Sequence, residues 1–263
     1  MLIPPRTPPT RPDEDAVIAG WLSRVSTERR HVVVSLSGAH AYGFPSPDSD
    51  LDLKAVHAAP TVELLGLGKP KPTADFLGIV DGLEVDYTSN ELSGVLAGVL
   101  AGNGNYIERF LSGYALLADP ALEELQPLVH GALNRRIHGH YLGFSTQLYR
   151  RLSQPGATVK HSLYVLRCAL TGAHGLLTGQ IETDLGRLAG PYGFGEATEL
   201  IAAKRAGEKV ALTGAALERA EALCQRALAA LEDAHARSIL PEEAPNKDAL
   251  EAWLIDFRLR GVR

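Results

Sequence analysis

Apolar and polar positions follow a helical spacing and then a strand-like alternation in the early part of the chain. The spacing over residues 13–26 predicts an amphipathic helix. A β-branched run over 31–36 predicts a buried strand that ends at Gly38, and the alternation over 51–56 predicts a second strand. The folded part of the chain therefore begins with a helix and two strands.

Turn-forming residues separate these strands and mark a hairpin further along. Residues 43–49 are rich in proline, serine and aspartate, which predicts a loop. Asp81 and Gly82 stand between the short apolar runs 76–80 and 83–87, and an Asp-Gly pair in that position is typical of a two-residue hairpin turn.

Helical spacing dominates the rest of the chain. It predicts helices over 91–101 and 105–111, and Asn105 with Glu108 three places later resembles a capping pair at the start of the second helix. From Pro120 onward the sequence is rich in alanine and leucine. Turn-forming residues interrupt this part at 154–156, 190–191 and 241.

These patterns predict an α+β fold, in which a mixed sheet with flanking helices is followed by an all-helical part. Residues 1–12 contain five prolines, and we expect a flexible tail there. We place the α+β domain at 13–118 and the helical domain at 119–263.

Composition narrows the class of protein. With 263 residues, 45% of them hydrophobic and 22% charged, the chain has the composition of a globular protein rather than a disordered or disulfide-rich one. Its apolar runs are shorter than the roughly 18 residues of a membrane span, and the first residues lack the apolar core of a secretory signal. Cys168 and Cys224 have no close-spaced cysteine partner. We therefore expect a cytoplasmic protein that does not bind membranes.

The net charge of −5 argues against a protein that coats nucleic acids, but the charge is unevenly distributed. Residues 125–181 contain no Asp or Glu and five of the nine histidines. The basic residues of this tract are Arg135, Arg136, Arg150, Arg151, Lys160 and Arg167. The tract is consistent with a local anion-binding site, or with a basic helical face that is balanced by the acidic C-terminal helices.

Carboxylates and a glycine turn occur together in residues 37–56. Asp50 and Asp52 are two apart at a predicted strand, so both side chains point to the same face. Neighbouring carboxylates repel each other and are stabilised by a shared cation, and magnesium binds in this way together with substrate phosphates. The backbone of the turn at Gly38 can approach a phosphate closely. The combination indicates metal-assisted transfer from a nucleoside triphosphate.

A third carboxylate is expected on a neighbouring strand. Asp86 lies at the end of the strand predicted over 83–87, where it could act as general base on an attacking hydroxyl. Glu84 shares its strand face because the spacing is two. The alternative is that Glu84 and Asp86 form the solvated face of a hairpin strand.

The order of these residues resembles the signature of the DNA polymerase β nucleotidyltransferase superfamily. The pattern is G-x-x-A-Y-G-x-x-x-P-x-S-D-x-D-x-K, which runs from Gly38 to Lys54. More narrowly, the chain is similar to a branch of predicted nucleotidyltransferases associated with RNA repair and ligation. That resemblance covers roughly residues 30–210 and includes four further blocks, at 90–92, 102–111, 160–167 and 176–179.

The resemblance implies a polymerase-β-like catalytic domain and a role for each motif residue. Asp50 and Asp52 would bind two magnesium ions, for which manganese could substitute, and Asp86 would complete the metal site and help to deprotonate the acceptor hydroxyl. The triphosphate, ATP for example, would be attacked at its α-phosphate with release of pyrophosphate. The residues implied to hold it around the turn are Ser37, Gly38, Ala39, Tyr42 and Ser49.

The chain departs from the superfamily pattern at Ala39, where the usual Gly-Ser pair has a serine that contacts phosphate. Loss of one neutral hydrogen bond weakens phosphate binding by about 0.5–1.5 kcal/mol. Gly104 is a milder change, since the branch tends to have proline there.

Lys160, Tyr164 and Arg167 have the spacing of one helix face. Two cations and an aromatic ring suit a triphosphate and a base or ribose, so we interpret them as nucleotide-binding residues. The alternative is a surface helix with a tyrosine packed on a neighbour.

Three functions remain open. The first is a magnesium-dependent nucleotidyltransferase whose acceptor is an RNA end. The second keeps the chemistry but uses a small molecule, such as an aminoglycoside, or a protein hydroxyl as acceptor. The third is a catalytically silent nucleotide-binding module, which the alanine at position 39 makes conceivable; three converging carboxylates argue against it.

Overall fold

The computed structural model describes residues 4–68, 70–207 and 210–261. Within them, five strands form one mixed sheet in the order β3-β4-β2-β1-β5. β2 and β4 are parallel, and the other neighbours are antiparallel. The strands are β1 (Arg30–Leu36), β2 (Leu51–Ala58), β3 (Thr73–Val80), β4 (Leu83–Glu91) and β5 (Ala115–Ala118).

Helices flank the sheet and make up the second half of the chain. Those of the first half are α1 (Pro12–Glu28), α2 (Gly38–Ala41), α3 (Thr61–Leu65), α4 (Leu92–Leu100) and α5 (Gly104–Leu111). Those of the second half are α6 (Ala121–Gly131), α7 (Ile137–Leu152), α8 (Val159–Thr178), α9 (Leu185–Ala189), α10 (Ala197–Ala206), α11 (Gly214–Ala236) and α12 (Lys247–Leu259). The predicted fold class, a mixed sheet with flanking helices followed by helices, is confirmed. Among the described residues, none of these helices has both the length and the apolar character that a bilayer span requires.

The helix predicted over 13–26 is α1, which starts one residue earlier. Pro12 occupies its first turn, where a missing N–H is tolerated. The Glu14 carboxylate accepts the backbone N–H of Arg11 at 2.7 Å, which closes the N-terminus. Trp21 is buried and packs on the Tyr87 ring at 5.6 Å between centroids, so α1 covers one face of the sheet.

The hairpin is confirmed as β3 and β4. Asp81 and Gly82 both have positive φ, +48° and +87°, as a tight turn between right-twisted strands requires. Burial then alternates along β4: Val85 and Tyr87 face the core, whereas Asp86 and Thr88 face the opposite side. That opposite side carries the candidate site.

Two local predictions were wrong or incomplete. The strand β5 was not predicted, because Ala115–Ala118 is a short alanine and leucine segment without alternation. The proposed Asn105–Glu108 capping pair is absent, because the N-cap position of α5 is Asn103, two residues before the predicted one. Glu108 instead lies inside the helix and uses its carboxylate for tertiary contacts.

The first segment, 4–11, makes a defined contact with the second half of the chain. Arg6 donates two hydrogen bonds to the Glu182 carboxylate, at 2.8 and 2.7 Å, and its backbone N–H donates to the carbonyl of Gly113. Buried side chains of both halves also belong to one continuous apolar core. The division into domains at 13–118 and 119–263 therefore stays a prediction.

Candidate active site

A cavity opens between helices α5 and α8 and the face of the sheet opposite α1. The turn after β1 forms one wall, and residues from both halves of the chain form the others. The lining residues are Ser35, Leu36, Ser37, Gly38, Ala41, Tyr42, Asp52, Lys54, Thr88, Asn105, Glu108, Arg109, Ser112, Tyr164 and Thr183.

Gly38 brings the turn against a carboxylate. Its φ is +61°, a conformation that favours glycine. A Cβ at this position would lie 1.7 Å from Oδ2 of Asp52, so no larger residue fits without displacing that side chain. The backbone N–H of Ser37 also donates to the carbonyl of Asp52 at 2.8 Å. The turn and the start of β2 therefore form one unit.

The structure places two of the predicted carboxylates side by side on neighbouring strands. Asp52 on β2 and Asp86 on β4 are direct partners in the parallel register. Their predecessors Leu51 and Val85 are buried, so both aspartates point to the cavity side of the sheet. Asp50 immediately precedes β2, and its charge acts on Asp52.

The electrostatic environment of Asp52 reflects this clustering. Burial raises its pKa to about 7, and the carboxylates of Asp50 and Asp86 act in the same direction. The ammonium groups of Lys54 and Lys160 oppose the rise. An added cation would therefore be stabilised at this position.

Lys54 lies between two of the carboxylates. Its Nζ atom is 2.9 Å from Oδ1 of Asp86 and 3.6 Å from Oδ1 of Asp52. The Asp86 side chain is 37% exposed, so it remains accessible to an acceptor that approaches from solvent. The lysine supplies a positive charge where a metal ion between these carboxylates would also lie.

The donor set fits magnesium in its chemistry. Asp50, Asp52 and Asp86 offer carboxylate oxygens, the hard ligands that Mg²⁺ prefers, and the charges of Asp50 and Asp86 add to the burial that raises the pKa of Asp52. The ligand atoms of these three aspartates do not all lie within 4.8 Å of one another. Among the described residues, the group that meets this distance is His138, Glu232 and His235. The open arrangement of the aspartates suits ions that also bind substrate phosphates.

Behind the turn lies a buried polar network. Arg167 Nη1 donates to Glu108 Oε1 at 2.7 Å, and the Tyr141 hydroxyl donates to the same oxygen at 3.0 Å. The Arg167 guanidinium also stacks 3.7 Å from the centre of the Tyr42 ring. This network fixes Tyr42, whose hydroxyl lies 3.2 Å from that of Ser37.

The predicted nucleotide-binding residues occupy four kinds of position. Four of them line the cavity: Ser37, Gly38, Tyr42 and Tyr164. Ala39 is buried within α2, and the Ser49 hydroxyl accepts the backbone N–H of Ser46 at 3.0 Å, which closes the loop. Lys160 lies beside Tyr164, with its Nζ 5.9 Å from the ring centre. Arg167 is buried behind the cavity and binds Glu108.

Arg109 is a site residue that the sequence interpretation missed. Its Nη1 donates to the carbonyl of Ala55 and to Oδ1 of Asn90, at 2.6 and 2.7 Å, so α5 is held on the cavity face of the sheet. Burial lowers the pKa of Arg109 to about 10. The sequence signal for it was the 102–111 block, in which Arg109 itself was assigned no role.

Other lining residues were also missed. Lys54 belongs to the motif but was given no function, and Asn105 was interpreted as a cap. Thr88 follows Asp86 on the same strand face, so the period of two that singled out Glu84 could also have identified it.

Part of the basic tract is neutralised by acids that are distant in sequence. Arg135 binds Glu242 at 2.7 Å, and Arg136 binds Glu243. These contacts match the interpretation in which C-terminal acids balance a basic face.

Comparisons with known proteins show which sequences and structures the chain is similar to. The chain is 27% identical over 156 residues to the uncharacterized protein MJ0002 of Methanocaldococcus jannaschii, a match that covers 58% of this chain and 63% of that relative. A nucleotidyltransferase-like protein from Exiguobacterium sibiricum 255-15 is similar in structure with a TM-score of 0.34 and 12% identity, over 95% of this chain and 81% of that one. The model of the RNA repair pathway DNA polymerase beta family, RlaP, matches residues 16–256. The chain therefore belongs to the RNA repair pathway DNA polymerase beta family.

Proposed function

We propose that this chain is a magnesium-dependent nucleotidyltransferase that moves a nucleoside monophosphate from a triphosphate to a hydroxyl acceptor at an RNA 3′ end. The observation that supports it best is the register pairing of Asp52 with Asp86 beside the Gly38 turn. Family membership supports the reaction class and the link to RNA repair.

Asp50, Asp52 and Asp86 would hold the magnesium ions. When bound, magnesium neutralises charge on the α-phosphate and lowers the pKa of a coordinated hydroxyl. Asp86 is more exposed than Asp52, its partner in the register, so it is placed to accept the proton of an acceptor hydroxyl that approaches from solvent. Asp52, which is more enclosed, faces the triphosphate side.

The turn would hold the phosphates through its backbone. The first N–H groups of a helical turn have no partner within the turn, and those of α2 begin at Gly38, directly beside Asp52. Such amides bind phosphate without a side-chain hydroxyl, which explains how Ala39 can replace the usual serine. Tyr164 would then pack against the base or ribose, with Lys160 at its edge.

Lys54 would stabilise the reacting carboxylates before the substrate arrives. Its ammonium group reduces the repulsion between Asp52 and Asp86. Once a metal ion takes its place between the carboxylates, the same group would be available to bind a phosphate oxygen.

The reaction is tested with labelled ATP, CTP, GTP and UTP, Mg²⁺ and an RNA oligonucleotide. We expect the wild type to extend the RNA, and Asp50→Ala, Asp52→Asn and Asp86→Asn to abolish transfer with an unchanged circular dichroism spectrum. Glu84→Gln is the matched control, because Glu84 lies on the same strand face as Asp86 but is exposed at its outer end. Full activity of Asp52→Asn or Asp86→Asn would contradict the proposed site.

The acceptor is tested separately. Parallel reactions with RNA, with an aminoglycoside and with the protein alone distinguish the three possible hydroxyls. Transfer to the aminoglycoside but not to RNA would overturn the RNA acceptor while preserving the chemistry. Binding of nucleotide without release of pyrophosphate in any reaction would identify a silent module.

A further inference from the structure

Two imidazoles and a carboxylate meet in the helical half of the molecule, on elements to which the proposed reaction assigns no role. His138 lies on the first turn of α7, and Glu232 and His235 lie three residues apart near the end of α11. Residues at that spacing share one helix face. Ligand atoms of the three side chains all lie within 4.8 Å of one another, which holds for no other His, Cys, Asp and Glu group among the described residues.

The three side chains of this cluster contact one another directly. His138 Nε2 is 3.1 Å from Glu232 Oε2, and the His138 and His235 rings stack with centroids 3.9 Å apart and planes at 3°. A neutral imidazole presents one nitrogen lone pair, which is the form that binds metals.

We propose that His138, Glu232 and His235 form a binding site for a divalent transition metal ion, specifically Zn²⁺. Imidazole nitrogens with one carboxylate oxygen are a donor set of zinc sites in which a water molecule takes the fourth position. Magnesium prefers oxygen donors alone, so this site and the aspartate cluster select different ions.

The site is accessible, and the two helices that carry it pack against a third. The Glu232 side chain is 55% exposed and that of His138 is 15% exposed, so an ion can reach the ligands from solvent. The ion would join α7 to α11, and both helices pack against α8, which carries Tyr164 and Arg167. Zinc binding would therefore stabilise the helices behind the catalytic cavity.

The test uses tag-free full-length protein that has been treated with EDTA. Isothermal titration with ZnCl₂ is carried out in a large excess of Mg²⁺, so that the hard aspartate cluster is not the site detected. We expect one Zn²⁺ per chain, with a Kd on the order of micromolar or tighter. Titration with Co²⁺ should give visible d–d absorption bands, and Zn²⁺ should raise the melting temperature.

Variants distinguish this site from others. Glu232→Gln and His235→Gln should each weaken Zn²⁺ binding by about tenfold or more, and Glu232→Gln should also abolish the rise in melting temperature. His174→Gln is the matched control, because His174 lies on α8 and contacts Tyr192 instead. Absence of saturable binding, or equal affinity in the wild type and both variants, would overturn the proposal. Since Glu232 is exposed, its substitution tests the site without disturbing the core.

Discussion

Gly38 couples the backbone of the turn to the position of the Asp52 carboxylate, for which we propose a catalytic role. Gly38→Ala places a methyl group 1.7 Å from Asp52 Oδ2 and also strains a φ of +61°. We expect transfer to fall by about tenfold or more, because a displaced carboxylate loses its productive geometry. Transfer assays and urea unfolding measure the two effects.

Gly193→Ala is the control for that substitution. Gly193 also has a positive φ, +76°, but a Cβ there would meet no atom within 4 Å. The free energy of unfolding of Gly193→Ala should fall by only about 1 kcal/mol, which is the cost of an alanine in the left-handed backbone conformation. Its transfer activity should be retained. Equal transfer by the two variants would show that the close approach to Asp52 has no functional role.

Glu108 carries a buried charge on which Arg167 depends. Glu108→Gln keeps the shape but leaves the guanidinium without its carboxylate, and loss of one partner of a buried pair costs about 3–5 kcal/mol. We expect the free energy of unfolding, measured in urea, to fall by that amount. The double variant Glu108→Gln/Arg167→Met should recover part of it.

The exposed ion pair of Arg226 with Glu196 is the control for the buried pair of Arg167 with Glu108. Arg226 and Glu196 are joined at 2.7 Å, but both side chains are more than half exposed. Glu196→Gln should leave stability unchanged because solvent screens such pairs. If Glu108→Gln were equally harmless, Arg167 would not need its carboxylate in the folded protein.

At the scale of elements, Glu91 joins three parts of the fold. It ends β4 and is the N-cap of α4, where its carboxylate accepts the backbone N–H of Ser93 at 2.7 Å. It also pairs with Arg258 of α12, whose Nη1 donates to the carbonyl of Ala59. Glu91→Ala should therefore destabilise the protein by more than the roughly 1 kcal/mol of a lost cap.

Glu91→Gln separates the two roles. Glutamine can still accept the Ser93 amide but removes the charge that faces Arg258. Its loss of stability in urea unfolding should be smaller than that of Glu91→Ala. Equal losses would mean that capping contributes nothing at this junction.

Local patterns predicted most elements because each pattern is set by neighbouring residues. The alternation of β2 and the Asp81-Gly82 turn are of this kind. β5 depends on pairing with β1 and has too short a sequence to show it. The capping prediction failed because α5 starts at Gly104, so that Glu108 points to Arg167.

The site was predictable only in part, for the same reason. The motif indicated the aspartates, but their closeness depends on the parallel pairing of β2 with β4, which no local pattern specifies. The contacts of Arg109 with Ala55 and Asn90 likewise arise from the packing of α5 on the sheet. Lys54 was visible in the motif, yet its position between two carboxylates follows only from the register.

At the scale of the whole molecule, both halves of the chain build the cavity. Thr183 donates to the carbonyl of Ala41 at 3.1 Å, and the backbone N–H of Leu185 donates to that of Tyr42. Gly43 has no room for a Cβ because Asp184 lies against it. The helical half therefore fixes the turn that approaches Asp52, so the stability of the whole fold determines the geometry of the site.

That stability should fall at mildly acidic pH. His31 and His57 are cross-strand partners in β1 and β2, and burial, with the charge of Arg29, lowers the pKa of each to about 4. Unfolded histidine has a pKa of about 6.5. Between these values the unfolded chain binds protons that the folded chain does not, so stability decreases as pH falls from about 6.5 towards 4. Each histidine should lower the free energy of unfolding by about 2 kcal/mol when the pH is lowered from 7 to 5.

Urea unfolding of the wild type and of a His31→Gln/His57→Asn variant at both pH values measures this effect. Gln can replace the His31 Nε2 contact with the Tyr87 hydroxyl, and Asn can replace the His57 Nδ1 contact with Ser89. Because neither amide titrates, the variant should lose less stability than the wild type on acidification, even if it is less stable at pH 7. Acidic groups contribute equally to both proteins, so they do not affect the comparison. Identical losses in the two proteins would show that the folded state does not lower the pKa of these histidines. The acid sensitivity of the fold would then have another source.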